Sequence, residues 1–175
     1  KSPEDPSARN NIGYLPEKIH FVPGTTALSF LRGTSRLRDL GLKDSELTEQ
    51  LNRLGLEGVG DKKVQTFSKG MKQRLGVVSA LLGKPDLLIL DEPTDGIDPI
   101  GRQSIRQIIA EENQRGATVF LNSHLLSETE KICQRVGVLV NGRLVLDGAI
   151  EEIRREEHSW EIHFIDSAHQ AALVE

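Results

Sequence analysis

The sequence predicts an α/β domain built on parallel core strands, with a small helical unit ahead of them and a C-terminal β-hairpin behind. Three observations carry that expectation. The stretch 86–90 (DLLIL) is apolar from Leu87 onward without alternation, the pattern of a strand buried on both faces of a parallel sheet. A helical stretch carrying Ile105, Ile108 and Ile109 follows, Gly116 closes it and an apolar strand begins at Thr118; strand, helix and strand imply a right-handed parallel crossover. Two further strand-like runs, VGVLV and RLVLD, flank Asn141 and Gly142, a short-range hairpin signal.

From the N-terminus, a polar start bearing Pro3 and Pro6 gives way to a strand over 11–15, which Pro16 ends. A loop marked by Pro23 and Gly24 leads to a helix from 27 to about 37. A second helix starts near 45, with Leu47, Leu51 and Leu54 on one face and Gly55 as the residue past its end. The linker 57–67 then enters a third helix over 69–82. Met71, Leu75, Val78 and Leu82 share a face there, Ser68 is the N-cap, and Gly83 and Pro85 stop it. Beyond the strand at 86–90 come the helix from about 100 to 115 and the strand over 118–121. Ser127 and Glu130 form an S-x-x-E capping box for a helix running to about 134. The hairpin closes the core, residues 149–157 read as helix, and 159–165 alternates Trp160, Ile162 and Phe164 with polar neighbours as a half-buried strand.

Composition narrows the function classes. The 175 residues carry a net charge of −4, with 37% hydrophobic and only 4% aromatic residues. Such a chain lacks the broad basic surface of a nucleic-acid binder, so no nucleic acid is expected as a partner. Cys133 stands alone, so no intrachain disulfide forms, and one thiol with five scattered histidines makes no structural zinc site; a reducing, cytoplasmic setting fits. No apolar run approaches the ~18 residues of a membrane span. The charged start KSPED lacks the apolar core of a signal peptide, so a membrane is expected only through a partner.

Ligands of open α/β sheets sit beyond the carboxyl ends of the strands. Three such places hold reactive side chains: Glu17 after the first strand, Asp91 and Glu92 after the second, and Asn122, Ser123 and His124 after the third. An apolar strand running into two acids suits a nucleotide site in which one acid serves Mg²⁺ and the next activates water. It equally suits a pair of acids flanking the next helix.

The order of motifs adds a resemblance. FSKGMKQRL, then LLILDEPTDGIDP, then FLNSH resemble the signature motif, Walker B, D-loop and H-loop of the ATP-binding domain of ABC transporters, in family order. IGYLPE resembles the Q-loop region of exporter-branch members, and the helical unit lies where that family has its helical subdomain. The resemblance covers about residues 11–148 and implies a partial domain of the P-loop NTPase type. Its parts would be a Q-loop strand and loop over 1–25, a helical subdomain over 26–67, the motif-bearing core over 68–148 and the start of a C-terminal extension over 149–175.

The roles it implies are specific. Ser68, Lys69 and Gly70 open a helix whose unpaired N–H groups face an anion, the γ-phosphate held by a second ATPase subunit. Asp91 serves Mg²⁺, Glu92 is the general base, His124 binds the γ-phosphate, and Glu17 reaches the cation or its water. Asp98 belongs to the D-loop and, standing before Pro99, also caps the next helix. ATP and Mg²⁺ are thus the expected ligands. A transmembrane permease and a second ATPase subunit are the expected partners, at the inner face of the membrane.

Three departures qualify the resemblance. Lys69 replaces a glycine and adds a charge, and Glu17 replaces the usual glutamine, keeping an oxygen ligand but losing the amide donor. No G-x-x-x-x-G-K-[ST] occurs anywhere: Gly83 and Lys84 are followed by Pro85 and preceded at the required place by Val78. The chain therefore resembles a domain without its Walker A part, inactive by itself. Two rivals are a soluble ABC ATPase acting on ribosomes or DNA, and a non-catalytic partner that donates only its signature face.

Overall fold

The computed structural model describes residues 11–155. Strands β1 (Ile12–Leu15), β2 (Leu87–Asp91) and β3 (Thr118–Asn122) pair in parallel in the order β1-β2-β3, so the two-acid strand is central. The register sets Leu15 beside Leu90 and Leu90 beside Leu121, with Asp91 beside Asn122. All three strands therefore end at one edge.

Helices α1 (Ala27–Leu37) and α2 (Asp44–Arg53) precede β2. Thr26 begins α1 through a reciprocal cap with Ser29, and Gly55, at φ 69°, lies just past α2. Leu28, Leu31, Leu47 and Leu51 bury the facing sides of the pair, and Arg32 grips Asp44 with two hydrogen bonds of 2.7 Å. Arg53 of α2 is ion-paired to Glu111 and Glu112, residues of α4 (Pro99–Gln114). Glu112 is buried, and Arg115 completes its charge balance at 2.9 Å. A buried carboxylate persists only when paired in this way.

Helix α3 (Lys69–Leu81) starts at Ser68, whose hydroxyl accepts from the Met71 amide at 3.2 Å. One apolar face was expected, but Leu75, Gly76, Val77, Val78, Ala80 and Leu81 are all buried. The helix lies inside the molecule, so its small residues meet neighbours where an exposed helix would meet water. Gly13 of β1 makes this possible. A Cβ there would stand 2.1 Å from the Ala80 carbonyl oxygen, so no side chain fits between strand and helix.

Two further expectations are corrected. Strand β2 is fully buried only at Leu88 and Leu90, while Leu87, Ile89 and Asp91 are half-exposed, because the described elements cover one face of the sheet and leave the other open. The S-x-x-E box does not begin the next helix: α5 spans only Leu126–Thr129, Ser127 lies within it, and Ser123 accepts from the Leu125 amide at 3.1 Å just before it. Ser127 already lies inside the helix, past the start it was expected to cap, whereas Ser123 stands before that start and holds the turn leading into it.

A second compact unit begins at Gln134, so the hairpin expected to close the core forms a unit of its own. It comprises β4 (Arg135–Val140), β5 (Arg143–Ala149) and α6 (Ile150–Arg155). The strands pair antiparallel around Asn141 and Gly142, both at positive φ as a type I′ turn demands, with a bulge at Val138 and Leu139. The predicted strand over 159–165 and the start bearing Pro3 and Pro6 lie outside the described residues.

Candidate functional site

The carboxyl edge of β2 and β3 gathers most of the predicted residues. Glu92 follows β2 directly and adopts φ 48°, a left-handed backbone uncommon for a side-chain-bearing residue. Its amide donates to the Asn122 carbonyl at 2.9 Å, which extends the β2–β3 pairing by one residue. The turn sends the Glu92 carboxylate to the His124 side of the edge. There Oε1 accepts from the His124 amide at 2.9 Å and lies 2.8 Å from Nδ1 of the same imidazole. Oε2 is 3.5 Å from Ser123 Oγ and so is the freer oxygen. The carboxylate is 15% exposed and the imidazole 67%, a shielded carboxylate set back behind an accessible ring.

Asp91 stands beside Glu92 with a different partner. Asn122 Nδ2 donates to its Oδ1 at 2.7 Å, which orients the carboxylate and leaves Oδ2 for another ligand. Among the described residues no cluster of three His, Cys, Asp or Glu forms an all-protein cation cage. This donor set fits Mg²⁺ bound chiefly by substrate phosphates, which takes only one or two carboxylates from protein. Glu17 is exposed two residues past β1, and among the described residues no hydrogen bond or ion pair joins it to Asp91, Glu92 or His124. The shared edge brings it to the same end of the sheet without tying it there.

The N-terminus of α3 meets the segment that follows Glu92. Lys69 Nζ pairs with Asp95 at 2.8 Å, and the Lys69 stem lies where a Cβ on Gly96 would be, 2.6 Å from Lys69 Cδ. That ammonium holds the Asp95 carboxyl below its ordinary value. The direction of the charge on Lys69, undefined by the sequence, is thus toward its own chain's loop. Gly70 approaches the same loop: a Cβ on it would stand 3.1 Å from the Gly96 carbonyl oxygen. Ser68 and Lys69 are exposed beside it.

Asp98 caps α4 by accepting from the Gly101 amide at 2.9 Å and pairs with Arg74 of α3 at 2.8 Å. The Gly101 amide, then the Arg74 charge, lower the Asp98 carboxyl below its ordinary value. Two participants escaped the sequence reading. Gln73 Nε2 donates to the Glu92 carbonyl at 2.8 Å, and Arg74 reaches Asp98. Periodicity offered no signal for Gln73, which shares its helix face with Lys69 and Gly70 as well as with Val77.

The comparisons with known proteins agree in kind. The family model described as ABC transporter matches residues 1–95. The chain is 35% identical over 162 residues to an uncharacterized ABC transporter ATP-binding protein of Synechocystis, covering 90% of this chain and 46% of that protein. It is 37% identical over 147 residues to the linearmycin resistance ATP-binding protein LnrL of Bacillus subtilis, covering 83% of this chain and 47% of that one. Against the lantibiotic transport ATP-binding protein SrtF of Streptococcus pyogenes the figures are 44% over 108 residues, 62% and 47%. A solved structure of the ATP binding subunit of an ABC transporter matches with a TM-score of 0.76 at 32% identity, over 86% of this chain and 64% of that one. The chain spans about half the length of the curated relatives it matches. The expected fold, a partial P-loop NTPase-like α/β domain, is the fold of that structural neighbour.

Proposed function

The chain belongs to the ABC transporter ATP-binding family, and on that premise we propose that its β-strand edge forms part of an ATP-hydrolysing site that drives a membrane permease. The observation that carries the reading is the pairing of Glu92 with His124 across adjacent parallel strands, with Asp91 beside them. Three groups of complementary chemistry meet there: a carboxylate for a cation, a shielded carboxylate for water and an exposed imidazole.

In this proposal Asp91 and Glu17 would hold Mg²⁺, which would neutralise charge on the phosphates of ATP. Glu92 Oε2 accepts the proton of the attacking water, since Oε1 is engaged by His124. His124 has two tasks. With Nδ1 donating to Glu92, donation from Nε2 to a phosphate oxygen requires the doubly protonated ring. That imidazolium would both orient the base and oppose charge on the transferred group.

Ser68, Lys69 and Gly70 at the start of α3, with Asp98, would contact the nucleotide held by a second ATPase subunit, the helix N-terminus being suited to an anion. Residues 26–67 are proposed as the helical subdomain. The names of SrtF and LnrL support a transport role, with export as the proposed direction. Among the described residues no helix is long and apolar enough to cross a membrane. A peripheral place at the inner membrane face, through a permease, is the proposed location.

The test uses two polypeptides. The 175 residues alone, without a G-x-x-x-x-G-K-[ST] loop, are expected to bind Mg²⁺-ATP no better than about millimolar and to release no phosphate above background, because the loop's amides and lysine are the main counter-charge. Titration calorimetry and a phosphate-release assay read both. In a polypeptide carrying such a loop ahead of residue 1, Glu92→Gln is expected to keep ATP binding and lower turnover by about 10²-fold or more. Turnover near wild type would remove Glu92 from the mechanism.

A further inference from the structure

Gln73 is unexplained by the mechanism above. It sits within α3 at 6% exposure, and the bond from its Nε2 to the Glu92 carbonyl, at 2.8 Å, is the reason a buried amide is tolerated there. The proposed chemistry uses the carboxylate of Glu92, yet that carboxylate is aimed by the residue's backbone. At φ 48° the backbone is in a region that an L residue occupies only where its surroundings over-determine it. Three bonds do so: Glu92 N to Asn122 O at 2.9 Å, Asp95 N to Glu92 O at 3.1 Å, and the Gln73 amide to the same carbonyl.

The neighbours of Gln73 on α3 point the same way. Lys69, one turn earlier, holds Asp95, and Arg74 holds Asp98, so α3 grips the segment 92–98 at three places. They are unequal. Lys69 and Asp95 are 69% and 41% exposed, and Asp98 is 56% exposed, so water and salt screen both ion pairs. The Gln73 bond is shielded, and it alone reaches the residue that bears the base.

We infer that Gln73 is a positioning residue: its bond to the Glu92 carbonyl fixes the left-handed turn that aims the Glu92 carboxylate at His124. This rests on the reading of Glu92 as the base. A consequence follows for the whole segment. The helix whose N-terminus is proposed to meet the nucleotide of a second subunit is tied, within one chain, to the base of its own site.

Gln73→Met removes the donor at similar volume and leaves the Glu92 carbonyl its Asp95 partner, so no orphan acceptor is created. In the 175-residue chain, hydrogen exchange at the Glu92, Asp95 and His124 amides is expected to quicken about tenfold, with the amides of α2 unchanged. In the loop-bearing polypeptide, kcat is expected to fall about 10-fold to 100-fold at unchanged KM for ATP, the scale of a misaimed catalytic group. In a Glu92→Gln background the same substitution is expected to cost nothing further. Where Gln73→Met does not fold, Gln73→Asn keeps the amide and shortens its reach.

Unchanged exchange and kcat, a parallel change in KM and kcat, or a full additional loss in the Glu92→Gln background would each overturn the inference. Wild-type turnover in Glu92→Gln alone would instead sink the reading of the base, while exchange at the three amides would still report on Gln73.

Discussion

The two faces of the three-stranded sheet differ although the same strands make both. On one face Gly13, Leu15, Leu88 and Leu90 are buried beneath α3 and the core around it. On the other, Tyr14, Ile89 and Phe120 form one cross-strand row, with Tyr14 57% and Phe120 64% exposed. Residues of one kind alternate along β2, so hydrophobicity does not distinguish the faces. What distinguishes them is whether an element packs there, and among the described residues that happens on one side. The covered face is therefore where stability resides, and the strand ends that carry Glu92 and His124 are held by it.

The largest expected break of this asymmetry is Leu90→Ala. Removing a fully buried side chain from the covered face is expected to cost about 2–5 kcal/mol, read from the urea midpoint at constant slope. Next is Gly13→Val, which forces a side chain against the Ala80 carbonyl and is expected to cost about 1–3 kcal/mol in the same measurement. A loss as small as that of an open-face residue would mean, for Leu90→Ala, that this face is not packed as described and, for Gly13→Val, that α3 does not seat on β1.

Acid sharpens the comparison, because Gly13, Leu15, Leu88 and Leu90 of the covered face carry no titrating group while the segment past β2 carries Asp95 and Asp98, both held below their ordinary value. Lys69 lowers Asp95, and the Gly101 amide lowers Asp98, from an ordinary value of 3.8. A carboxyl depressed in the folded state contributes stability that is complete above its unfolded value and vanishes as pH falls through its folded one. Exchange of the Gly101 amide, corrected for its intrinsic pH dependence, is accordingly expected to quicken below about pH 4 while Leu88 stays protected. Equal loosening at both would contradict the division. The smallest effect belongs to the open face: Phe120→Ser is expected to shift stability by no more than about 0.5 kcal/mol.

Much of this was legible in the residues, unevenly. Helix α1 and the start of α3 fall where periodicity and capping place them, because both signals lie within a few residues of each other. The same holds for Asn141 and Gly142 at the hairpin turn and for Asp98 at the start of α4. The box at Ser127 failed for a local reason as well: two serines compete for one helix start, and spacing alone does not choose between them. For β2, a continuous apolar run reports that both faces avoid water, not that both are covered.

By itself the sequence determined which chemical groups stand at which strand ends: two acids after β2, a histidine after β3, a serine and a glycine at the opening of α3. Those follow from chain order and from the directionality of parallel strands. Only the tertiary structure decided that the Lys69 charge goes to Asp95, that Gln73 holds the Glu92 carbonyl, that Glu92 takes a left-handed turn toward His124, and that Tyr14 and Phe120 face outward. Each of these joins residues far apart in the chain, or depends on what packs over a surface. Periodicity and propensity describe a residue's near neighbours along the chain, whereas these contacts exist only once helix and strands have been brought together.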